Sequence, residues 1–487
     1  MNIVEPVLFQ CRVNPFGTAI ATPGSGLGAV KYGKLEALIH NVARSALKAG
    51  LAPGNMAAIY VADPIFHAAL LLGLAQIGVA TMSLTGTMLP EQVPFTAILT
   101  NSRQAFPGVA KVIPIDASWL QGDGSAPDYE RIYCCEPGDI CRIILTSGST
   151  GRQKGIAYSH RMLTEKVSAN GYAKGPLLAT TSQLFSSLRL ETSPGFQYLM
   201  IALMRGQTIY FSGPEPTDIL QYLAAYNVEA LAISPHDLRT YLAYFQADPT
   251  LISPFRVIIS QGARLGQTLA GAVRMRLCQN LYTSYGATET GTVACGPAHN
   301  LERFPGAVGF VCPGATIDIV DSDGTLLPVG HEGHVRIRSP YMAAGYVGDP
   351  DATTQMFRDG GFYPGDLGYM NTERMLIVTG RTKTALSVSG DTVAPELIEE
   401  LLCSFPAVEQ AAAYNLDDSM GISKIHALIV VRGGFDEGAL RAHCAGQLQD
   451  AMVPVSFTRV ADIPRGAQGK IDRQAVLAVG RVAQTTT

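Results

Sequence analysis

The chain has 487 residues, 47 % of them hydrophobic and 16 % charged, with a formal net charge of −4. That length exceeds what one simple core organises, and a charged share below the usual ~25 % favours a large interior, so two or more units are expected. With no run of Lys/Arg and little net charge, a nucleic-acid footprint and a polybasic membrane patch are both excluded, which leaves small molecules as partners.

The opening MNIVEPVLFQCRVNPF has no basic segment leading into an apolar one, so a cytoplasmic location is expected rather than export. The nine cysteines are scattered, and the cluster Cys134, Cys135 and Cys141 lacks a CxxC pair with a second half, so they read as reduced thiols rather than a zinc site. From Ala43, ARSALKAG then LAPGNMAAIYVAD give an amphipathic helix, a Gly/Pro turn and an apolar strand. Ile65 to Leu84 is long enough to span a bilayer, but His67, Gln76, Gly73 and Gly78 interrupt it; it reads as a buried helix ending near Gly78 and running into a strand.

The runs GLAQIGV, KVIPID, RIILT, QTIYF, VEALAIS and RVIIS are strand-like and separated by helix-length segments, an order that predicts parallel sheets with helices on their faces. Around 305–345 short alternating strands take over, with Asp323-Gly324 as a hairpin signal and a local antiparallel or barrel-like unit as the expectation. Then PELIEELLCSF, with Pro395 in its first turn, precedes AVEQAAAYNL and IHALIVV, a small α+β unit whose boundary falls near Gly380 to Lys383.

Residues 145–155, LTSGSTGRQKG, follow the short run Arg142-Ile143-Ile144. A Walker loop requires G-x-x-x-x-G-K-[ST]; counting from Gly148, the second glycine position is Gln153, and Lys154 is followed by Gly155, so that reading fails. A dinucleotide G-x-G-x-x-G is absent too. What remains is a donor-rich loop: backbone N–H groups at Gly148, Gly151 and Gly155, hydroxyls at Thr146, Ser147, Ser149 and Thr150, and a cation at Lys154. On composition alone a phosphate loop and an ordinary Ser/Gly turn stand level.

TSGSTGRQKG resembles the phosphate loop of the adenylate-forming superfamily (acyl- and aryl-CoA synthetases, peptide-synthetase adenylation domains, firefly-type luciferases), T-S-G-[ST]-T-G-x-P-K-G, with Gln153 in place of proline. The other family motifs follow in order. SYGATETG at 284–291 resembles Y-G-x-T-E, which implies Tyr285 packing on adenine with Gly286 beside it, Thr288 offering its hydroxyl to the α-phosphate, and Glu289 holding Mg²⁺. In SQGARLG, Gly262 and Ala263 match the adenine-binding G-A turn, and GAVGFVCPG from 306 matches G-x-V-G-x-x-x-P-G. YPGDLGYM at 363–370 resembles T-G-D with Pro364 at its first position, which gives Asp366 the ribose hydroxyls.

GRTKTALSVSG at 380–390 resembles the interdomain hinge, with Arg381 reaching the ribose, Lys383 as pivot and Gly390 beside the thiol tunnel. VAPELIE departs from P-x-E-[IV]-E at Leu397, and IPRGAQGKIDR at 463–473 resembles P-x-x-x-x-G-K-I-x-R, whose lysine, here Lys470, is catalytic.

The resemblance implies an α/β protein: an N-terminal domain of residues 1–380 made of two α/β lobes with mostly parallel sheets plus a small barrel-like unit, and a mobile α+β domain of residues 381–487. It implies activation of a carboxylic acid by ATP and Mg²⁺ to an acyl-adenylate with release of pyrophosphate, then transfer to a thiol. No carrier motif G-x-x-S-L follows residue 473, so the acceptor is a separate molecule, coenzyme A by preference, with the phosphopantetheine of a discrete carrier protein as the alternative. The acid pocket is expected at Thr192, Ser193 and Tyr198, with His236 nearby.

Amino-acid-activating members carry an aspartate where this chain has Ser193, so a neutral aryl or short-to-medium acyl acid is favoured, with Glu191 keeping the amino-acid reading open and Arg189 and His236 that of a second polar group. A catalytically silent nucleotide-binding homologue is the competing class; Thr288, Glu289, Asp366, Arg381 and Lys470 together argue against it. His331 and His334 lack H-E-x-x-H spacing, so no zinc is expected there. A monomer or homodimer without a membrane span completes the expectation.

Overall fold

A computed structural model describes residues 1–485 apart from 24, 87–88, 91, 107–108, 110, 122–134, 137, 148–152, 213–218, 383, 385, 389–390, 418–422 and 467–468. Gly148, Ser149, Thr150 and Gly151 of the phosphate loop, the pivot Lys383 and Gly390 therefore lie outside the described residues.

Two sheets carry the first two-thirds of the chain. One has six strands, five of them parallel, ending on the antiparallel pair Ile140–Ser147 and Gln153–Ser159. The other begins with parallel strands, Thr208–Phe211, Gln183–Ser186, Ala230–Ile233, Val257–Ser260 and Leu281–Ala287, and then turns antiparallel through Gly291–Pro297 and Ala307–Val311. The antiparallel unit expected around 305–345 is thus hydrogen-bonded onto the end of a parallel sheet, with its own apolar cluster of Val293, Ile317, Ile319, Val335, Ile337 and Leu376. At its tip the Asp321 carboxylate accepts from the N–H groups of Asp323 and Thr325, a turn that suits Asp323-Gly324 with Gly324 at φ 84°.

The apolar stretch from Ile65 is helix Pro64–Gln76, buried throughout and capped by Asp63, followed by strand Ala80–Ser83; no helix among the described residues is long and apolar enough to cross a membrane. His67 is bonded to Ser83 and Gln76 to His40, so the polar groups that interrupt the stretch are satisfied inside the fold. One expectation is corrected here. GLAQIGV is not a strand: Gly73–Gln76 finish the helix, and the missing strand is Ala97–Thr100. A continuous apolar run buried on all sides has no period to distinguish the two forms.

Beyond residue 381 the chain forms a three-stranded sheet, Val408–Asp417, Ser423–Val431 and Phe457–Arg459, covered by helices Pro395–Ser404, Glu437–Ala445 and Arg473–Thr485. Its core, from Leu386 to Phe457, is separate from the two large N-terminal clusters. Helix Pro395–Ser404 starts at the predicted proline, and Glu396 and Glu399 on its inner side both bond Arg473. Leu397 is 41 % exposed, so the departure from P-x-E-[IV]-E falls on the outer face, with the two flanking glutamates supplying the inner one.

Candidate active site

The phosphate loop joins two antiparallel strands in register, Ser147 opposite Gln153 and Thr146 opposite Lys154. The departure Gln153 is the exposed first residue of the second strand. The Thr146 hydroxyl donates to the Lys154 carbonyl at 3.4 Å, tying the base of the loop, and the Lys154 ammonium lies 4.8 Å over the ring of Tyr346. Tyr346 donates its phenol to the Oε1 of Glu289 at 2.8 Å, and Val347 donates its N–H to the Gly155 carbonyl. One short segment therefore holds the phosphate loop and the acidic motif residue at a fixed separation. Sequence reading missed Tyr346, because an aromatic in AAGYVGD has no local mark of what it touches.

The acidic motif sits on a hairpin between strands Leu281–Ala287 and Gly291–Pro297. A Cβ at Gly286 would come within 1.9 Å of the Gly291 carbonyl oxygen, so only glycine lets the hairpin close there. Glu289 is buried, and the Thr288 carbonyl accepts from the Lys166 ammonium at 3.0 Å and from the Tyr158 hydroxyl. Tyr285 donates to Asp366 Oδ2 at 2.6 Å, and Arg381 Nε donates to Asp366 Oδ1 at 2.7 Å. Asp366 is buried while Arg381 is exposed, and a carboxylate with one partner per oxygen keeps lone pairs for two further hydroxyls. Gly262 and Ala263 are exposed, and no atom lies within 4 Å of where a Cβ on Gly262 would stand, which leaves room for a flat ring against the backbone.

Lys470 arrives from the other domain. Its turn is pinned from within: the N–H of Gly466 bonds the Lys470 carbonyl, that of Gly469 bonds Gly466, and Arg465 donates to the Gly469 carbonyl at 2.9 Å. Gly469 has φ 74°, which the turn requires of it, and its position where a Cβ would lie 3.5 Å from the Cβ of His236 sets the turn against the large domain. Burial lowers the Lys470 pKa and the Arg381 guanidinium lowers it further, while Asp366 and Glu289 oppose them. Lys470, Arg381, Asp366 and Glu289 thus share one electrostatic site at the junction of the two domains. Alongside it, Arg264 pairs with Glu400 at 3.0 Å and Gln267 donates its N–H to the same carboxylate.

The expected acid-pocket residues separate. The Thr192 hydroxyl caps helix Ser193–Met204, accepting from the Gly195 N–H and donating to the Arg189 carbonyl, so it is engaged in holding the backbone. His236 faces the Lys470 turn. Ser193 and Tyr198 are buried and meet two lysines that the sequence did not single out, Lys166 and Lys174, both on helix His160–Leu178. Glu191 is paired with Arg189 at 2.9 Å, which neutralises the one acid that could have met a substrate ammonium. Of the histidines at 331 and 334, neither belongs to a group of metal-binding side chains among the described residues.

The gathered motifs define an adenylate-forming enzyme, and the comparisons agree. The model of the AMP-binding enzyme family matches residues 10–347 and that of its C-terminal domain residues 397–470. The chain therefore belongs to the AMP-binding enzyme family. It is 28 % identical to a sulfoacetate–CoA ligase of Cupriavidus necator, with 94 % of each chain covered, and 24 % identical to a 4-chlorobenzoate–CoA ligase of an Arthrobacter species over 97 % of this chain and 94 % of that one. Its fold matches that of an o-succinylbenzoate coenzyme A synthetase of Bacillus subtilis in complex with AMP, with a TM-score of 0.83, 20 % identity and 96 % and 97 % of the two chains covered.

Proposed function

We propose that the protein condenses a small carboxylic acid with ATP to an acyl-adenylate and then passes the acyl group to coenzyme A. The observation that carries this reading is the docking of the Lys470 turn of the small domain against His236 of the large one, which brings Lys470 within electrostatic reach of Glu289, Asp366 and Arg381. In the first step an oxygen of the acid attacks the α-phosphorus and pyrophosphate leaves. Two anions must approach, and the Lys470 ammonium supplies a positive charge between them. Asp366 accepts from the ribose hydroxyls while Tyr285 and Arg381 hold its carboxylate still, and Gly262 and Ala263 offer the flat wall for adenine. The 146–154 loop, with Lys154 at its end, follows the departing phosphates.

A buried carboxylate with one oxygen bonded to a tyrosine suits a hard cation, so Glu289 would hold Mg²⁺, which offsets phosphate charge when bound. The thiol needs access to the adenylate that Lys470 would cover, so the small domain, residues 381–487, would turn between the steps, with Lys383 as pivot and Gly390 beside the thiol path by resemblance to the family. Acid-dependent ATP–pyrophosphate exchange over a panel of acids, with and without coenzyme A, tests the first step. Exchange with at least one acid and a thioester only with coenzyme A present is expected; tight nucleotide binding with no exchange for any acid would make the chain a silent homologue, and thioester formation only on a carrier protein would change the acceptor. Lys383→Pro should spare exchange and abolish thioester formation, and equal loss of both would remove Lys383 as the pivot.

A further inference from the structure

Lys166 and Lys174 are both fully buried. Taking an ammonium out of water costs several kcal/mol unless an anion or a full set of acceptors meets it. Among the described residues neither has a carboxylate within ion-pair distance; their partners are neutral. Lys166 places its three donors on the Tyr158 hydroxyl, Ser193 Oγ and the Thr288 carbonyl, at 2.7, 3.2 and 3.0 Å, and so braces the acidic hairpin. Lys174 has two acceptors, Gln261 Oε1 at 3.1 Å and Thr292 Oγ1 at 3.2 Å, and otherwise faces the ring of Tyr198 at 4.6 Å.

The surroundings are also short of partners. Asn170 Oδ1, Gln197 Oε1 and Ser260 Oγ are buried side-chain atoms with nothing to bond, in residues 1 %, 3 % and 3 % exposed. Asn170 Nδ2 already donates to the Lys166 carbonyl and Gln197 Nε2 to Ser193 Oγ, so both amides are held as they stand, while the Ser260 hydroxyl has a proton free to donate. Lys174, a buried ammonium with one donor left over and no carboxylate among the described residues, facing Tyr198 and bonded to Gln261 next in sequence to the idle Ser260 hydroxyl, has the chemistry of an anion site.

We propose that the acid activated here carries a second anionic group, a carboxylate or a sulfonate, and that Lys174 with the side chains around it receives that group while the first carboxylate meets Lys470. This rests on the reading of the site as an acid-activating centre, and it replaces the neutral acid expected from Ser193. It also opposes an α-amino acid, whose ammonium would meet like charge.

The test compares ATP–pyrophosphate exchange for straight-chain acids in matched sets: a monoacid, the α,ω-diacid of equal length and the ω-sulfonate of equal length. The wild-type protein should favour one of the dianions over the monoacid by at least 100-fold in kcat/KM, and the better of the two identifies the group. In Lys174→Met and Lys174→Gln that ratio should fall at least tenfold, chiefly through KM for the dianion. A wild-type ratio near one, or a ratio that both variants leave unmoved, overturns the proposal while acid activation stands. Thermal melting with each acid alone separates the two readings: if no acid supports exchange, a rise in melting temperature with a dianion that Lys174→Met abolishes supports the anion site and rejects activation, and no rise rejects both.

Discussion

Lys470 lies on the open side of its turn within electrostatic reach of Arg381, Asp366 and Glu289, and desolvation by the facing domain together with Arg381 holds its pKa below the ordinary 10.5. The working form is the ammonium, so the rate of adenylate formation should fall on the alkaline side at a lower pH than an ordinary lysine would give. A pH profile of exchange shows this, and Lys470→Arg, whose guanidinium stays charged, should move that fall upward. Lys470→Ala should lower exchange by roughly 10²–10³, the scale of losing one charge-stabilising group, and leave melting unchanged because the side chain lies on the surface of its turn. Gly286→Ala should cost about 1–3 kcal/mol in denaturant unfolding, since the added carbon meets a backbone carbonyl that cannot move aside. Lys470 was legible in sequence because its surroundings are local: Gly469 makes the turn and Ile471 anchors it to the small domain's core. Lys166 and Lys174 were not, since nothing in HRMLTEKVSANGYAKG distinguishes a buried lysine from a solvated one.

Helix His160–Leu178 sets Lys166, Asn170 and Lys174 on one face by their spacing of four. Burial lowers the Lys166 pKa to about 7, with Glu289 acting the other way, and that of Lys174 to about 8. Between about pH 7 and the ordinary lysine value of 10.5 the unfolded chain holds a proton that folded Lys166 has released, so stability rises with pH across that window. Lys166→Met removes this dependence. Wild-type stability relative to the variant should therefore increase from pH 7 to pH 10 by an amount on the order of a few kcal/mol, read from denaturant midpoints at each pH. The face that carries Lys166, Asn170 and Lys174 is covered by helix Ser193–Met204 and the hairpin at 281–297, so polar residues at a spacing of four do not by themselves mark a solvent face. GLAQIGV was misread for the complementary reason, being apolar on every side.

Across the whole molecule, the two domains meet through Arg264 and Glu400, the Gln267 N–H on the same carboxylate, and Gly469 against His236. These contacts hold the Lys470 turn against the large domain, and the proposed turning of the small domain would break them. Arg264→Ala should accordingly slow adenylate formation a few-fold in single turnover and leave the transfer to thiol, started from isolated acyl-adenylate, unchanged or faster. Slowing of both steps alike would remove the pair as a support of the first arrangement. The partners come from positions 264 and 400, whose identities as arginine and glutamate carry no sign that they meet.

The sequence by itself determined the class: the ordered glycine, hydroxyl and acid motifs from 145 to 473, the strand-then-helix order and the small α+β domain all rest on local pattern, and the last two are seen in the structure. Only the tertiary structure decided what meets what. It joined Glu289 to the base of the phosphate loop through Tyr346 and enclosed two lysines beside the expected acid pocket. The reason is physical: turn geometry and helical period are written in adjacent residues, whereas the burial of Lys166 and Lys174 and the link from Lys154 through Tyr346 to Glu289 depend on elements far apart in the chain.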